Sequence, residues 1–365
     1  MAKIVIDARR LRESTGRYTR ELLRELQELD GENDYHVVIH TKDQTHWTPK
    51  AKNFTLHVVP YDSYTFGEQL GFARFLYKLK PDLVHFTMPQ QPLLYFGKRV
   101  TTIHDLTLIR FKNLDKNRFV YAIEQTIFKL LIKNVARRSK VVLTHTKFVK
   151  NEIAEYTSVP AEKIYYAYDG AAQLEKLSPT PIKSLVGKNF IFYVGNAFPH
   201  KNLDRLIEAF LLLREKHPDL HLALAGKKEF FYQQLEQRYN EVSGVHFLGF
   251  ITDEQLAWAY KHTTAYVFPS LSEGFGLPGV DAMQHDVPLV SSSATCLPEV
   301  YGDAAYYFDP ESVEDMAVAI EHVIRSKERR HSLVKNGQEQ LKMFSWRKLA
   351  IKTHSAYMKA LNKAL

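Results

Sequence analysis

Cysteine is almost missing from this chain. Cys296 is the single one among 365 residues, so no disulfide can close within the chain, and the expected setting is a reducing cytoplasm. Long apolar runs are missing too. The longest, around Leu206–Leu213, is broken by Glu208 and falls far short of the roughly 20 residues that span a bilayer. The amino end, Met1 to Asp7, has the pattern of a strand and not of a cleavable signal. No Asp-x-Asp pair occurs, nor any His/Cys cluster at metal-ligand spacing, which leaves no expected metal and no cofactor. Low-complexity tracts and short internal repeats are also lacking.

What remains is an ordinary globular composition, 45% hydrophobic and 25% charged. The length exceeds one comfortable core and suits two domains. Charge is uneven. The net of +8 lies wholly in residues 1–172, with 27 Lys/Arg against 19 Asp/Glu, while residues 173–365 balance at 22 against 22. A basic first half points to an anionic partner such as a membrane surface, a lipid phosphate or nucleic acid, or to a merely soluble basic surface.

Strand-like and helix-like segments alternate throughout. Short apolar strands are predicted at 4–8, 37–40, 55–60, 82–86, 100–104, 141–144 and 164–167, with helices at 17–30, 67–80, 118–139 and 147–156. Near 173–188 the periodicity stops and two prolines appear, which predicts a linker. A second alternation follows: strands at 190–194, 221–225, 245–248, 265–268 and 289–291, with helices at 202–216, 231–241 and 253–262. A last helix starts near Ser345-Trp346. Alternation of this kind predicts parallel sheets covered on both faces, in two doubly wound α/β domains facing a cleft.

One stretch carries the most chemistry: Phe268-Pro-Ser-Leu-Ser-Glu273-Gly274-Phe275-Gly276-Leu277-Pro-Gly-Val-Asp281. A strand that ends, turns on glycines and opens a helix aims backbone N–H groups and the positive helix end at one spot, a ready phosphate site. A carboxylate at the turn and another two helical turns on suit a polyol and a ribose. The segment resembles the signature of the retaining glycosyltransferases of family 4, in which two glutamates stand seven residues apart. Here the second acid is Asp281, about one methylene shorter.

The resemblance extends over nearly the whole chain and implies the GT-B fold. Residues 1–172 would bind the acceptor, 189–345 the nucleotide sugar, and the helix 346–365 would cross back to the first domain. Val194-Gly195-Asn196-Ala-Phe-Pro-His200-Lys201-Asn202 looks like the family's Gly-…-Lys-Asn turn, whose lysine neutralises the departing pyrophosphate. Asn196 and His200 stand where relatives often carry arginine. Lysine and backbone amides would replace a divalent cation. Glu273 would accept from donor-sugar hydroxyls, with amides of Gly274, Phe275, Gly276 and Leu277 beside sugar and phosphates, and Asp281 would hold the ribose. His104, in Thr101-Thr-Ile-His104-Asp105, matches the family's His-Asp pair and would contact the sugar; a buried, backbone-satisfied histidine is the plainer alternative. Ser14, Thr15 and Gly16 resemble a glycine turn near the phosphates and acceptor, with one glycine where the family has two. Front-face attack assisted by the leaving phosphate and a covalent intermediate both stay open.

The helix at 118–139 mixes apolar and basic residues. It reads as a core-facing helix with a solvated basic side, or as a membrane-interface helix. The expected function is transfer of a hexose from a nucleotide sugar to a saccharide or lipid-linked acceptor. GDP-mannose is the first donor, on the likeness of the Gly16-Arg17-Tyr18 segment and the Lys201-Asn202-Leu203 helix to mannosyltransferases. UDP-glucose and UDP-N-acetylglucosamine follow. A sugar-nucleotide epimerase on the same fold is the enzyme alternative. A basic nucleic-acid binder is the non-enzymatic one, without a recognised motif to support it. The expected place is the cytoplasm, at the inner face of a membrane.

Overall fold

The computed structural model describes residues 1–13, 15–111, 118–172 and 177–362; the side chains of 118–124 fall outside that set. Two compact units divide the chain. The first comprises the described residues of Met1–Ile109, Asn117–Asp169 and Ser345–Leu365, the second those of Arg110–Lys116 and Gly170–Phe344.

In chain order the elements up to residue 166 are β1 (Lys3–Asp7), α1 (Gly16–Leu29), β2 (Asp34–His40), β3 (Phe54–Val59), α2 (Ala73–Leu79), β4 (Leu83–Phe86), β5 (Arg99–Thr102), α3 (Thr107–Arg110), α4 (Arg118–Arg138), β6 (Val141–Thr144), α5 (Lys147–Thr157) and β7 (Ile164–Tyr166). Their seven strands form one sheet in the order β3-β2-β1-β4-β5-β6-β7, and every pairing is parallel. Strands β4, β5 and β6 are buried at every residue, as expected where helices cover both faces of a parallel sheet.

The second unit runs β8 (Asn189–Val194), α6 (Leu203–Lys216), β9 (Leu220–Ala225), α7 (Phe230–Tyr239), β10 (Val245–Gly249), α8 (Asp253–His262), β11 (Ala265–Phe268), α9 (Leu277–Gln284), β12 (Leu289–Ser292), α10 (Leu297–Tyr301), β13 (Ala305–Phe308), α11 (Val313–Arg325) and α12 (Lys327–Leu341). Its six parallel strands lie in the order β10-β9-β8-β11-β12-β13. Helix α6 shows the cause of the layering: Leu203, Leu206, Ile207, Phe210 and Leu213 are buried at helical spacing against the sheet. Helix α8 starts on a capping box between Thr252 and Gln255.

The final helix, α13 (Trp346–Leu361), belongs to the first unit. Tyr357 Oη lies 2.6 Å from His85 Nδ1 on β4, His354 Nε2 lies 3.0 Å from Asp30 Oδ2, and Arg347 donates to the carbonyl of Glu25 at 3.3 Å. The return of this helix matches the expected fold.

Three local features differ from the sequence reading. Residues 67–80 begin as a π-helical turn, Gly67–Phe72, before α2. Strand β13 and helices α10 to α12 extend the alternation beyond residue 291. The described part of 173–188 is packed: Leu185 and Ile182 are buried, and Thr180 N–H donates to the carbonyl of Glu254 at 3.0 Å. Among the described residues no helix is long and apolar enough to cross a membrane.

Candidate active site

In the second sheet the strand order reverses at β8, which lies between β9 and β11. Open parallel sheets bind ligands at such a reversal, beyond the carboxyl ends, where the following loops part. The loops after β8 and β11 carry Lys201 and Glu273.

Local hydrogen bonds clamp these two loops together. Leu271 N–H donates to the carbonyl of His200 at 2.7 Å. Asn202, in the left-handed region at φ 61, sends its side-chain amide to the carbonyls of Pro269 at 3.1 Å and Pro310 at 2.7 Å. Asparagine suits this place because it tolerates that backbone and carries two side-chain donors. As a result Lys201 Nζ stands 2.5 Å from Glu273 Oε1, with side chains 14% and 12% exposed. The Glu273 N–H donates to Thr295 Oγ1 at 3.1 Å, and its carbonyl accepts from the Cys296 thiol at 3.2 Å.

Around the pair, two tyrosines are kept as neutral donors. Burial first, then the Glu273 charge, pushes the hydroxyls of Tyr193 and Tyr301 well above their ordinary pKa. Tyr193 donates to the carbonyl of Asn196 at 2.9 Å and Tyr301 to that of Gly276 at 2.6 Å. Gly276 needs to be glycine: its φ is 86°, and a Cβ there would lie 2.3 Å from the Tyr301 hydroxyl. Helix α9 follows at once, with Gly276 as its N-cap, so it opens directly after the turn that carries Glu273.

The other expected residues of this unit fall as follows. Gly195 follows β8 directly, and Asn196 Oδ1 accepts from Phe198 N–H at 3.4 Å. The His200 ring stacks on Phe198, with centroids 6.0 Å apart. Gly274 and Phe275 are buried and Leu277 is half-buried at the start of α9. Asp281 is buried, and its Oδ1 accepts the N–H of Ala172 at 2.8 Å, a partnership that sequence reading missed.

In the first unit, Ser14 lies outside the described residues. Thr15 precedes α1 without a side-chain cap. At Gly16 a Cβ would stand 2.0 Å from the carbonyl oxygen of Leu11, so this turn accepts no side chain. His104 follows β5. Its Nε2 lies 3.0 Å from the carbonyl of Thr87 and must donate there, which leaves Nδ1 to accept from His145 Nε2 at 2.7 Å. His145 Nδ1 in turn lies 2.9 Å from Asp169 Oδ1. The Tyr18 ring stands edge-on to both imidazoles, at 5.1 and 5.0 Å. Burial first, and the His145 ring next, hold His104 down to about 3, so it is neutral. His145 and Asp169 follow β6 and β7; their places beyond the carboxyl ends of predicted strands were the signal that could have found both. Among the described residues no group of three or more His, Cys, Asp or Glu could hold a metal ion.

Comparison with known proteins agrees with this architecture. Residues 15–171 match the family model Glycosyltransferase Family 4, and residues 179–340 match Glycosyl transferases group 1. The O-antigen chain mannosyltransferase B of Escherichia coli is 29% identical over 271 residues, 71% of this chain and 70% of its own length. The O-antigen chain mannosyltransferase RfbU of Salmonella typhimurium is 28% identical over 63% of this chain and 67% of its own. Among solved structures, Anabaena HepE in complex with UDP and glucose superposes with a TM-score of 0.73 at 16% identity, covering 98% of this chain and 99% of that one. Two Rossmann-like units of this kind define the GT-B class of sugar transferases. The chain belongs to the family 4 glycosyltransferases, its first unit carrying the Family 4 domain and its second the group 1 domain.

Proposed function

We propose that this glycosyltransferase moves a hexose, with retention at the anomeric carbon, from a nucleotide sugar to a glycan or lipid-linked acceptor in the assembly of a surface polysaccharide such as O-antigen. The Lys201–Glu273 pair at the reversal of the second sheet carries the reading. In the free enzyme each charge neutralises the other. A donor would part them, Lys201 turning to the diphosphate and Glu273 to sugar hydroxyls, so neither charge is stranded when the site fills.

The bond from the anomeric carbon to phosphate oxygen breaks with its electron pair going to the phosphate. Lys201 and the start of α9 stabilise that charge where it develops. The acceptor oxygen bonds to the same face, and its proton passes to the leaving phosphate. No resident metal belongs to this reading. Asp281, anchored to Ala172, would turn its carboxylate toward the ribose. His104, neutral and with a fixed tautomer, is the first unit's candidate for a sugar hydroxyl, by exchange of one of its present partners. GDP-mannose is the first donor, supported by the mannosyltransferases among the relatives; UDP-glucose and UDP-N-acetylglucosamine come next.

A peripheral membrane contact through the first unit completes the proposal. Phe66, Leu70, Leu94 and Phe96 are exposed beside exposed Arg74, Lys78 and Lys98. Tyr77 donates to the carbonyl of Leu94 and accepts from Phe96 N–H, and the Arg138 guanidinium lies 4.4 Å from the centre of the Phe96 ring. Apolar side chains among cations suit an anionic lipid surface, with the enzyme at the cytoplasmic face.

The test is thermal shift with GDP, UDP and their sugars, followed by transfer assays with and without chelator. A donor nucleotide should raise Tm, and Lys201→Ala should cut turnover about 100-fold or more. Near-wild-type turnover in that variant would remove Lys201 from the reaction.

A further inference from the structure

Three residues that line one cavity of the first unit each bury a polar atom without a hydrogen-bond partner among the described residues: Arg10 Nη1, His40 Nε2 and Asp43 Oδ1. The cavity holds about 330 Å³, at the small end of ligand pockets, which run roughly 300–1,000 Å³. It lies beyond the carboxyl ends of β1, β2 and β3, lined by residues of 9–13, 40–43 and 61–64.

The polarity of each atom can be assigned. His40 Nδ1 accepts from Lys42 N–H at 3.0 Å, so in the neutral ring Nε2 carries the hydrogen and is a donor. Asp62 Oδ1, the carboxylate oxygen paired with it, is 3.4 Å away. Asp43 is 3% exposed, and its Oδ1 is an acceptor whose paired cation, Arg12 Nε, stands at 3.8 Å. Arg10 turns Nε and Nη2 to Glu13, which leaves Nη1 as a second donor. Buried donors and acceptors are rarely left unmatched, and three of them on residues lining one cavity of ligand size mark a site that a guest can complete.

The charges decide the guest. Arg10, Arg12 and Lys42 face Glu13, Asp43 and Asp62, cation for anion. Arg9 behind them is matched by Asp7 and Glu68. A phosphate would need a cationic surplus, and a metal ion would need carboxylates without cations beside them. Mixed donors and acceptors next to Tyr61 and Tyr64 suit a neutral polyol with C–H faces. Tyr64 is held in the left-handed region at φ 64, a strain that non-glycine residues keep chiefly where surroundings enforce it. Glu68 accepts its N–H at 2.8 Å and Gln90 donates to its hydroxyl at 2.7 Å.

We infer that this cavity is a subsite for a neutral sugar residue of the acceptor glycan. The inference rests on the proposed transferase reading, but its test is separable. Saturation-transfer NMR on the full chain would use α-linked mannotriose, maltotriose, mannose and mannose 6-phosphate, with GDP and UDP affinity measured in parallel. A neutral trisaccharide should saturate, mannose 6-phosphate should bind no better than mannose, and Asp43→Asn and His40→Gln should each weaken the trisaccharide about tenfold with nucleotide affinity retained. A variant that loses nucleotide as well is misfolded, and Tyr64→Ala, at an exposed ring, then serves in its place. Trisaccharide affinity unchanged in the variants, tighter binding of the sugar phosphate, or no neutral saccharide binding to a chain that still takes nucleotide overturns the subsite. Failure of every nucleotide to bind would instead undo the proposed function.

Discussion

Each sheet reverses its strand order once, at β1 in the first unit and at β8 in the second, and each reversal bears an ion pair of opposite character. At β1 the Arg9 guanidinium meets Asp7 and Glu68 at 2.8 Å each, with side chains 3%, 7% and 1% exposed. It also donates to the carbonyl of Tyr61 at 3.0 Å and lies 3.9 Å from the centre of the Phe72 ring. A planar, multiply bonded guanidinium away from water is a fixed brace. At β8 the pair is one Lys201–Glu273 contact between partly exposed side chains, and an ammonium on a flexible stem can turn to a new partner. The same topological place is closed by arginine in one unit and left exchangeable by lysine in the other.

The sharpest way to break the comparison is to treat both pairs alike. Arg9→Met should strand two buried carboxylates and cost about 3–5 kcal/mol of stability, read by denaturant unfolding. Lys201→Met should barely move the unfolding midpoint while turnover collapses. Comparable stability losses in the two variants would show that the pairs are not different in kind.

Acid should separate the units by a smaller margin. His85 and His104 of the first unit are both pushed down to about 3, chiefly by burial. Their unfolded forms take up protons near 6.5, so in that window the unfolded chain binds more protons and stability falls as pH drops from about 6.5 toward 3. The second unit's His246, held at about 4 first by desolvation and then by Lys188, is only partly buried and should matter less. Peptide-resolved hydrogen exchange between pH 7 and 4, corrected for intrinsic rates, should show the first unit opening earlier. Simultaneous opening would contradict this.

The smallest effect is expected at Asp281. Asp281→Asn keeps an acceptor for Ala172 N–H but removes its charge, so nucleotide affinity should fall about tenfold or less by calorimetry. A loss of several orders of magnitude would make this carboxylate a principal donor contact.

Much of this protein was legible in one dimension because the signals are short-range. Apolar strands, amphipathic helices and glycine turns depend on neighbours within a few residues, so both doubly wound units could be read from alternation alone. Lys201 and Glu273 were singled out by the resemblance of the segments after two strands to the family's motifs. Strand β13 escaped because Ala305-Tyr-Tyr-Phe308 is brief and sits between Gly302 and Pro310. Which side chains meet is a different question. Arg9 finds Glu68, His104 finds His145, His145 finds Asp169, Asp281 finds Ala172, and Arg10, His40 and Asp43 line one cavity only after strand order sets loops from distant parts of the chain side by side. Residue pattern alone chose the elements and marked the loops; the packing of parallel strands, which no local preference encodes, chose the partners, and with them which charges are locked and which are open to a ligand.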